Sequence, residues 1–424
     1  MIRRFSMAVL ALALVLMTVA STPIAEAASP TPQPDLSFGI PGQCQQGTFP
    51  SGALWMVCVP AYGWNGDLVL WAHGYTAFNE PLGFQDLTLP DGLYLPNVVQ
   101  FLGYAFATTS YRENGLAVLP GETDMLQLNT LFRQVAPRPP VHTYITGASE
   151  GGLITTLLVE QQPSAFSGGL ALCGPIGSFR LQTDYFGNFR VLFDYFFPNV
   201  LPPSPIDIPD QLINNWDSVY SPAVASAISA NPSAAQQLIA TSHAAIDPSN
   251  VAASEISTAQ DVLWYNVFAT NDAAEKLGGN PFDNQHWLYH GSANDALLNL
   301  RVERFAASPT ALANLKPYET TGNVTIPLVT MHTTGDDVIP FWNEILYHAK
   351  IHTSGAGQVT QIPIKAYGHC NFTTGQVLAA FDLLVTQVTG KGVPMIDRRF
   401  NVAQVRADFA QTMQQWKQQG LVPR

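Results

Sequence analysis

Residues 147–151 read Gly147-Ala148-Ser149-Glu150-Gly151, a G-x-S-x-G pattern centred on a serine that could serve as a nucleophile. A serine hydroxyl attacks poorly at neutral pH until a base takes its proton. It also needs an acid that orients the base and donors that meet the negative charge developing on the attacked oxygen. Each of these partners has a candidate. His369, in Gly368-His369-Cys370, would accept the Ser149 proton and later return it to the leaving group. Asp336 and its neighbour Asp337 follow Thr333-Thr334-Gly335, and either carboxylate could hold the base in the right tautomer or cap a helix opening near Pro340. The donors would be the N–H of Glu150, directly after the serine, and one from Trp71-Ala72-His73-Gly74-Tyr75. Gly74 permits a turn that aims the Tyr75 N–H into the site; the Tyr75 hydroxyl is the alternative, and His73 reads as a structural residue under the loop. The candidates stand in the chain order Ser, Asp, His.

These residues need elements to hold them. Val141–Thr146 is a β-branched and aromatic run that reads as a short buried strand, and Leu153–Val159 continues as an apolar helix. Strand, tight turn, serine and helix make a nucleophile elbow, in which the flanking glycines avoid collisions that a side chain would cause. The plainer alternative is an ordinary strand-to-helix turn with a capping serine. Leu68–Ala72, Tyr104–Tyr111, the run from Ile326 and Gln361–Tyr367 read as further strands, and Gly39–Tyr62 as early antiparallel ones. Thr123–Val135 and Gln376–Thr389 have helical spacing. Strands alternating with helices predict an α/β fold with a doubly wound, mostly parallel sheet. The alternation stops after Gly177 and resumes at Ile326, so residues 178–322 form an insertion. Its rings, Tyr185, Phe186, Phe189, Phe193, Trp216, Trp264 and Tyr265 among them, would mostly build its own core, with some lining a pocket for a bulky acyl or aryl group.

Four motifs in order carry a family resemblance: Trp71-Ala72-His73-Gly74-Tyr75, Gly147-Ala148-Ser149-Glu150-Gly151-Gly152, the Asp336 loop, and Gly368-His369-Cys370. Together they resemble the α/β-hydrolase superfamily, in its secreted serine-esterase and lipase-like branch. The resemblance implies a catalytic domain of residues 39–177 and 323–424 and a largely helical cap over 178–322. It also implies a Ser149-His369-Asp336 triad with an oxyanion hole from Tyr75 and Glu150, and neither cofactor nor metal. Asp336 fits the family's D-x-x-V-P spacing with Ile339 for Val, while Thr333 departs from it where the acid loop often has Gly. The activity implied is hydrolysis of small or polymeric carboxylic esters. An exported peptidase or aminopeptidase is the alternative, with Asp184, Glu255 or Asp261 holding a substrate amine, and a non-catalytic binding module is the remoter one.

Arg3 and Arg4, the uncharged run Met7–Ala20 and Ala25-Glu26-Ala27 make a secretory signal peptide over residues 1–27, followed by an exposed Pro-rich leader over 28–38. The product would be exported, extracellular or periplasmic, and no later segment is apolar enough to cross a membrane. The net charge is −12, and losing Arg3, Arg4 and Glu26 makes it −13, which argues against a nucleic-acid partner. Charged residues are 12% of the chain, about half the usual share, leaving the surface to uncharged polar groups. Four cysteines in an exported chain imply two disulfides. Cys44 and Cys58 flank a hairpin and would pair, and Cys173 with Cys370 would clamp the histidine loop to the sheet, free thiols being the alternative. His286/His290 and His348/His352 have the spacing of helical metal ligands but lack H-E-x-x-H, so no metal is implied.

Overall fold

Strands apolar on both faces belong inside a sheet that helices cover on both sides, and parallel strands joined by helical crossovers give that cover. A computed structural model of the chain, describing residues 39–394, 396 and 400–423, has this arrangement. The signal peptide and leader expected over residues 1–38 lie outside the described residues. The strands are β1 (Cys44–Thr48), β2 (Leu54–Cys58), β3 (Leu68–Ala72), β4 (Ala105–Thr109), β5 (Thr143–Ala148), β6 (Gly168–Leu172), β7 (Leu328–Gly335) and β8 (Val359–Tyr367). They form one eight-stranded sheet in the order β1-β2-β4-β3-β5-β6-β7-β8. β2 runs antiparallel to β1 and β4, and every other pairing from β4 to β8 is parallel.

Between the strands lie α1 (Leu95–Phe101), α2 (Val118–Val135) and α3 (Glu150–Gln161). After β6 come α4 (Phe179–Phe196), α5 (Asp210–Asn214), α6 (Ser221–Ala230), α7 (Pro232–Ser242), α8 (Val251–Leu277), α9 (Asp295–Arg301) and α10 (Pro309–Asn314). The expected insertion is thus helical, and β7 resumes the sheet. α11 (Trp342–Ser354), α12 (Thr374–Thr389) and α13 (Val402–Gln418) complete the chain. The two-residue alternation of the strands sorts the core. Leu68, Leu70 and Ala72 pack with α2 and α3, while Val69 and Trp71 pack on the other face with residues of α1 and α12. A third core joins Phe189, Phe193, Trp216 and Leu263 of the insertion to Phe341, Phe409 and Trp416. Most of the insertion's rings therefore do build its own interior.

Two elements differ from expectation. α2 begins at Val118, five residues before Thr123, because Pro120 and Gly121 fall in its first turn, where a missing N–H costs nothing. α13 was not anticipated; its buried Val405, Phe409, Thr412 and Trp416 recur at intervals of four, three and four. Both expected disulfides are present, Cys44–Cys58 across the β1–β2 pair and Cys173–Cys370 between the end of β6 and the loop after β8.

The close approach of α3 to the sheet depends on Gly151. A Cβ there would overlap the Ala72 carbonyl oxygen and lie 2.6 Å from that of His73, both of them main-chain atoms that cannot swing aside. Gly151→Ala is therefore expected to lower the yield of folded protein and the thermal unfolding midpoint, by an amount on the order of 3 kcal/mol or more. Unchanged unfolding would contradict this account of the contact.

Candidate active site

Ser149 ends β5 and begins α3 with φ 57° and ψ −122°, a left-handed conformation that costs a non-glycine residue on the order of 1–3 kcal/mol. Its N–H donates to Leu172 O at 2.9 Å and its carbonyl accepts from Gly152 N–H at 2.9 Å, so the neighbouring strand and the helix start hold the turn. From there the Ser149 Oγ meets His369 Nε2 at 2.9 Å. The other ring nitrogen, Nδ1, lies 2.8 Å from Asp336 Oδ2 and 3.1 Å from Oδ1. A proton on Nδ1 donates to the carboxylate and leaves the Nε2 lone pair facing the serine.

Between the two candidate acids, the structure brings Asp336 to the histidine. Burial alone would raise the Asp336 pKa, but the charges and hydrogen bonds of His369 and His332 outweigh it and hold the carboxyl well below its usual range. Its Oδ1 also accepts the Val338 and Ile339 N–H groups at 3.1 and 2.8 Å. Asp337 turns away, with Oδ2 3.3 Å from the Tyr367 hydroxyl. Burial, then the charges of Asp336 and Asp261, push its pKa up to about 7. Thr333, the departure from the family pattern, donates from its hydroxyl to Gly368 O at 2.8 Å and ties β7 to the histidine loop.

His332 was missed by sequence reasoning. Fully buried in β7, it donates from Nε2 to Ile339 O at 2.7 Å, with Asp336 Oδ2 3.3 Å away and Glu344 Oε1 3.6 Å from Nδ1. Burial would lower its pKa, but the hydrogen bonds and charges of Asp336 and Glu344 raise it to about 10, and its Nε2 stands behind the Asp336 carboxylate. Its sequence signal is spacing: it stands four residues before Asp336, on the strand that carries the acid.

On the donor side, Gly74 N–H is held by Asp86 Oδ2 at 2.8 Å, which pins the turn after β3. Neither the Tyr75 N–H nor the Glu150 N–H meets a main-chain acceptor among the described residues. The Tyr75 hydroxyl is engaged elsewhere, donating to Phe268 O of α8 at 3.0 Å, which leaves its main-chain N–H as the candidate donor. His73 is buried beneath this loop, its ring stacked on Tyr111 at 4.0 Å. Two cavities meet at Ser149. One, about 100 Å³, is roofed by α4 and α8 and lined by Tyr75, Glu150, Phe179, Phe186, Tyr265 and Phe282 among others. The second, about 290 Å³, is lined by Trp71, Asp86, Leu89, Leu95, His369 and Phe372.

The Glu150 side chain is buried and accepts the Ala117 N–H at 2.9 Å, tying the elbow to the start of α2. Burial pushes its pKa up to about 8. Between about pH 4.5, the usual value of a glutamate, and pH 8 the folded state keeps a proton that the unfolded state has lost, so stability falls as pH rises through that window. Glu150→Gln keeps an acceptor for Ala117 and removes the titration. Its unfolding midpoint should match the wild type near pH 5 and overtake it as pH approaches 8. Parallel pH profiles would mean that Glu150 is already ionised in the folded protein.

No family model matches the chain, and neither does any curated protein. Solved structures similar to it include the acylaminoacyl peptidase of Pyrococcus horikoshii, at 14% identity and TM-score 0.44 over 88% of this chain and 44% of that one. An esterase from Aspergillus oryzae is similar at 14% identity and TM-score 0.41, over 80% and 78% of the two chains. An esterase of Pyrococcus furiosus is similar at 12% identity and TM-score 0.38, over 88% and 90%. The chain thus spans less than half the length of the peptidase. The architecture is identified by its own sheet: with β2 reversed beside six parallel strands and a left-handed serine closing β5, this chain has the α/β-hydrolase fold.

Proposed function

We propose that this chain is an exported serine hydrolase of carboxylic esters. The observation that carries the reading is the unbroken line from Ser149 Oγ through His369 to Asp336, with contacts of 2.9 and 2.8 Å. Ser149 Oγ attacks the ester carbonyl carbon while its proton passes to His369 Nε2. The negative charge formed on the carbonyl oxygen is met by the Tyr75 and Glu150 N–H groups. The carbon–oxygen bond to the alcohol then breaks, and the departing oxygen takes the proton from Nε2. Water, deprotonated by the same nitrogen, attacks the acyl-enzyme and releases the acid and the free serine. Asp336 holds His369 in the tautomer both steps need.

The departing oxygen must lie near Nε2, and His369 lines the larger cavity. The alcohol therefore belongs there, and the acyl group in the apolar cavity of about 100 Å³ beneath α4 and α8, which we take to be the cap. An engineered apolar cavity of about 150 Å³ accepts benzene, so the acyl group accommodated here is short, about four to six carbons. Ester is favoured over an amine-anchored peptide because Asp184, Glu255 and Asp261 line neither cavity. Asp184 is engaged instead with Asp283 N–H at 3.0 Å and Arg180 at 3.9 Å. Export is supported by the two disulfides, which persist in oxidising compartments.

Chromogenic esters of increasing acyl length, tested beside aminoacyl anilides, check this reading. Butyrate and hexanoate esters should be turned over best, with activity on dodecanoate at least about tenfold lower. Ser149→Ala should abolish turnover, Asp336→Asn should lower kcat by about 10⁴, and Asp337→Asn should change it by less than about tenfold. Dominant anilide turnover would move the chain to the peptidases, and equal loss in both aspartate variants would overturn the assignment of the acid.

A further inference from the structure

The Tyr75 and Glu150 donors are both main-chain N–H groups beside the sheet. The two cavities at Ser149 share only three lining residues: Ser149 itself, Tyr75, and Tyr265 of α8. A group that borders both the acyl and the alcohol side stands at the carbon where they join. Tyr265 is also held there. Its ring stacks on Phe186 of α4 at 5.1 Å with the planes 5° apart, and the Tyr75 ring lies 5.7 Å away.

Its hydroxyl differs from those of the neighbouring tyrosines. Tyr75 donates to Phe268 O, Tyr185 to Asp337 O at 2.6 Å, and the Tyr367 hydroxyl lies 2.8 Å from both Ser257 and Thr258. Tyr265 instead shares the walls of both cavities with the nucleophile, and burial, then the charges of Asp336, Asp86 and Glu150, raise its pKa. It therefore remains a protonated donor throughout the neutral range.

Building on the ester-hydrolase reading, we propose that Tyr265 is a catalytic residue whose hydroxyl donates a hydrogen bond to the oxyanion of the tetrahedral intermediate, as a third donor beside the Tyr75 and Glu150 N–H groups. No proton is transferred in this role; the O–H bond of Tyr265 stays intact while Ser149 Oγ–C forms and the alcohol C–O breaks. The inserted helices then supply part of the reaction machinery as well as the walls of the acyl cavity.

The test compares the wild type with Tyr265→Phe, which keeps the ring and its stack on Phe186, on a butyrate ester. The expected result is a fall in kcat on the order of 10²-fold with KM within about threefold. Affinity for a trifluoromethyl ketone, which forms a tetrahedral adduct on the serine, should fall by a similar factor. Trp264→Phe, an adjacent ring change outside both cavities, should leave kcat unchanged. Tyr265→Leu removes ring and donor together, and wild-type kcat in either Tyr265 variant overturns the proposal. So does a fall in kcat without a parallel loss of ketone affinity. If the wild type neither hydrolyses esters nor is labelled at Ser149 by a fluorophosphonate, the underlying reading fails instead.

Discussion

Ser149 occupies a backbone conformation that a serine adopts only under constraint, and the rest of the site is arranged around keeping it there. A left-handed residue between β5 and α3 lifts its side chain off the end of the sheet, but the turn closes only if helix and strand approach within backbone contact. Gly147 and Gly151 allow that approach, each packed where a Cβ would strike main-chain atoms. The strain is met by hydrogen bonds to Leu172 on the neighbouring strand and within the first turn of α3. The serine is thus aimed by the sheet itself, and no flexible loop has to find the geometry.

The opposite side of the site has the harder electrostatic problem. Asp336 is fully buried, and a lone carboxylate there would take up a proton and lose its hold on His369. Two histidines prevent this, His369 from the front and His332 from behind, with two N–H groups from the following turn. The His332 pKa is raised by Glu344 as well as by Asp336, and the other Glu344 oxygen accepts from Thr330 and Gln361 at 2.7 and 2.6 Å. The histidine loop is fixed covalently as well, because Cys370 follows the base and is bonded to Cys173 just past β6. Both half-cystines sit at positive φ, 44° and 50°, so the crosslink holds two strained turns next to the nucleophile strand.

How much of this is legible in the sequence follows from which interactions are local. The elbow reads directly, since strand, glycines, serine and helix are contiguous and each has a steric reason to be there. The positions of Asp336 and His369 read from their places after the last two strands, but choosing between Asp336 and Asp337 needs the turn geometry that sends one carboxylate to His369 and the other to Tyr367. His332 stays hidden because a histidine on an apolar strand looks like core until the buried carboxylates around it are known. Tyr265 is hidden for a related reason: among the many rings of the insertion, nothing local separates the one at the serine from those packed in its interior, such as Tyr289.

The insertion is joined to the site by tyrosine hydroxyls, and this bears on how it can move. Each of the three loops that build the site has one such tie. Tyr75 of the loop after β3 bonds Phe268 O of α8, and Tyr185 of α4 bonds Asp337 O of the loop after β7. Tyr367, just before the histidine loop, meets Ser257 and Thr258 of α8. A tyrosine suits this role because its ring is buried with the apolar core while one polar tip makes one directed bond. Swinging α4 and α8 away from the sheet as a rigid lid would break all three tyrosine ties, at about 1 kcal/mol for each hydrogen bond and more where the partner stays buried, and would also expose the rings stacked between them. The helices roofing the smaller cavity are therefore part of the scaffold.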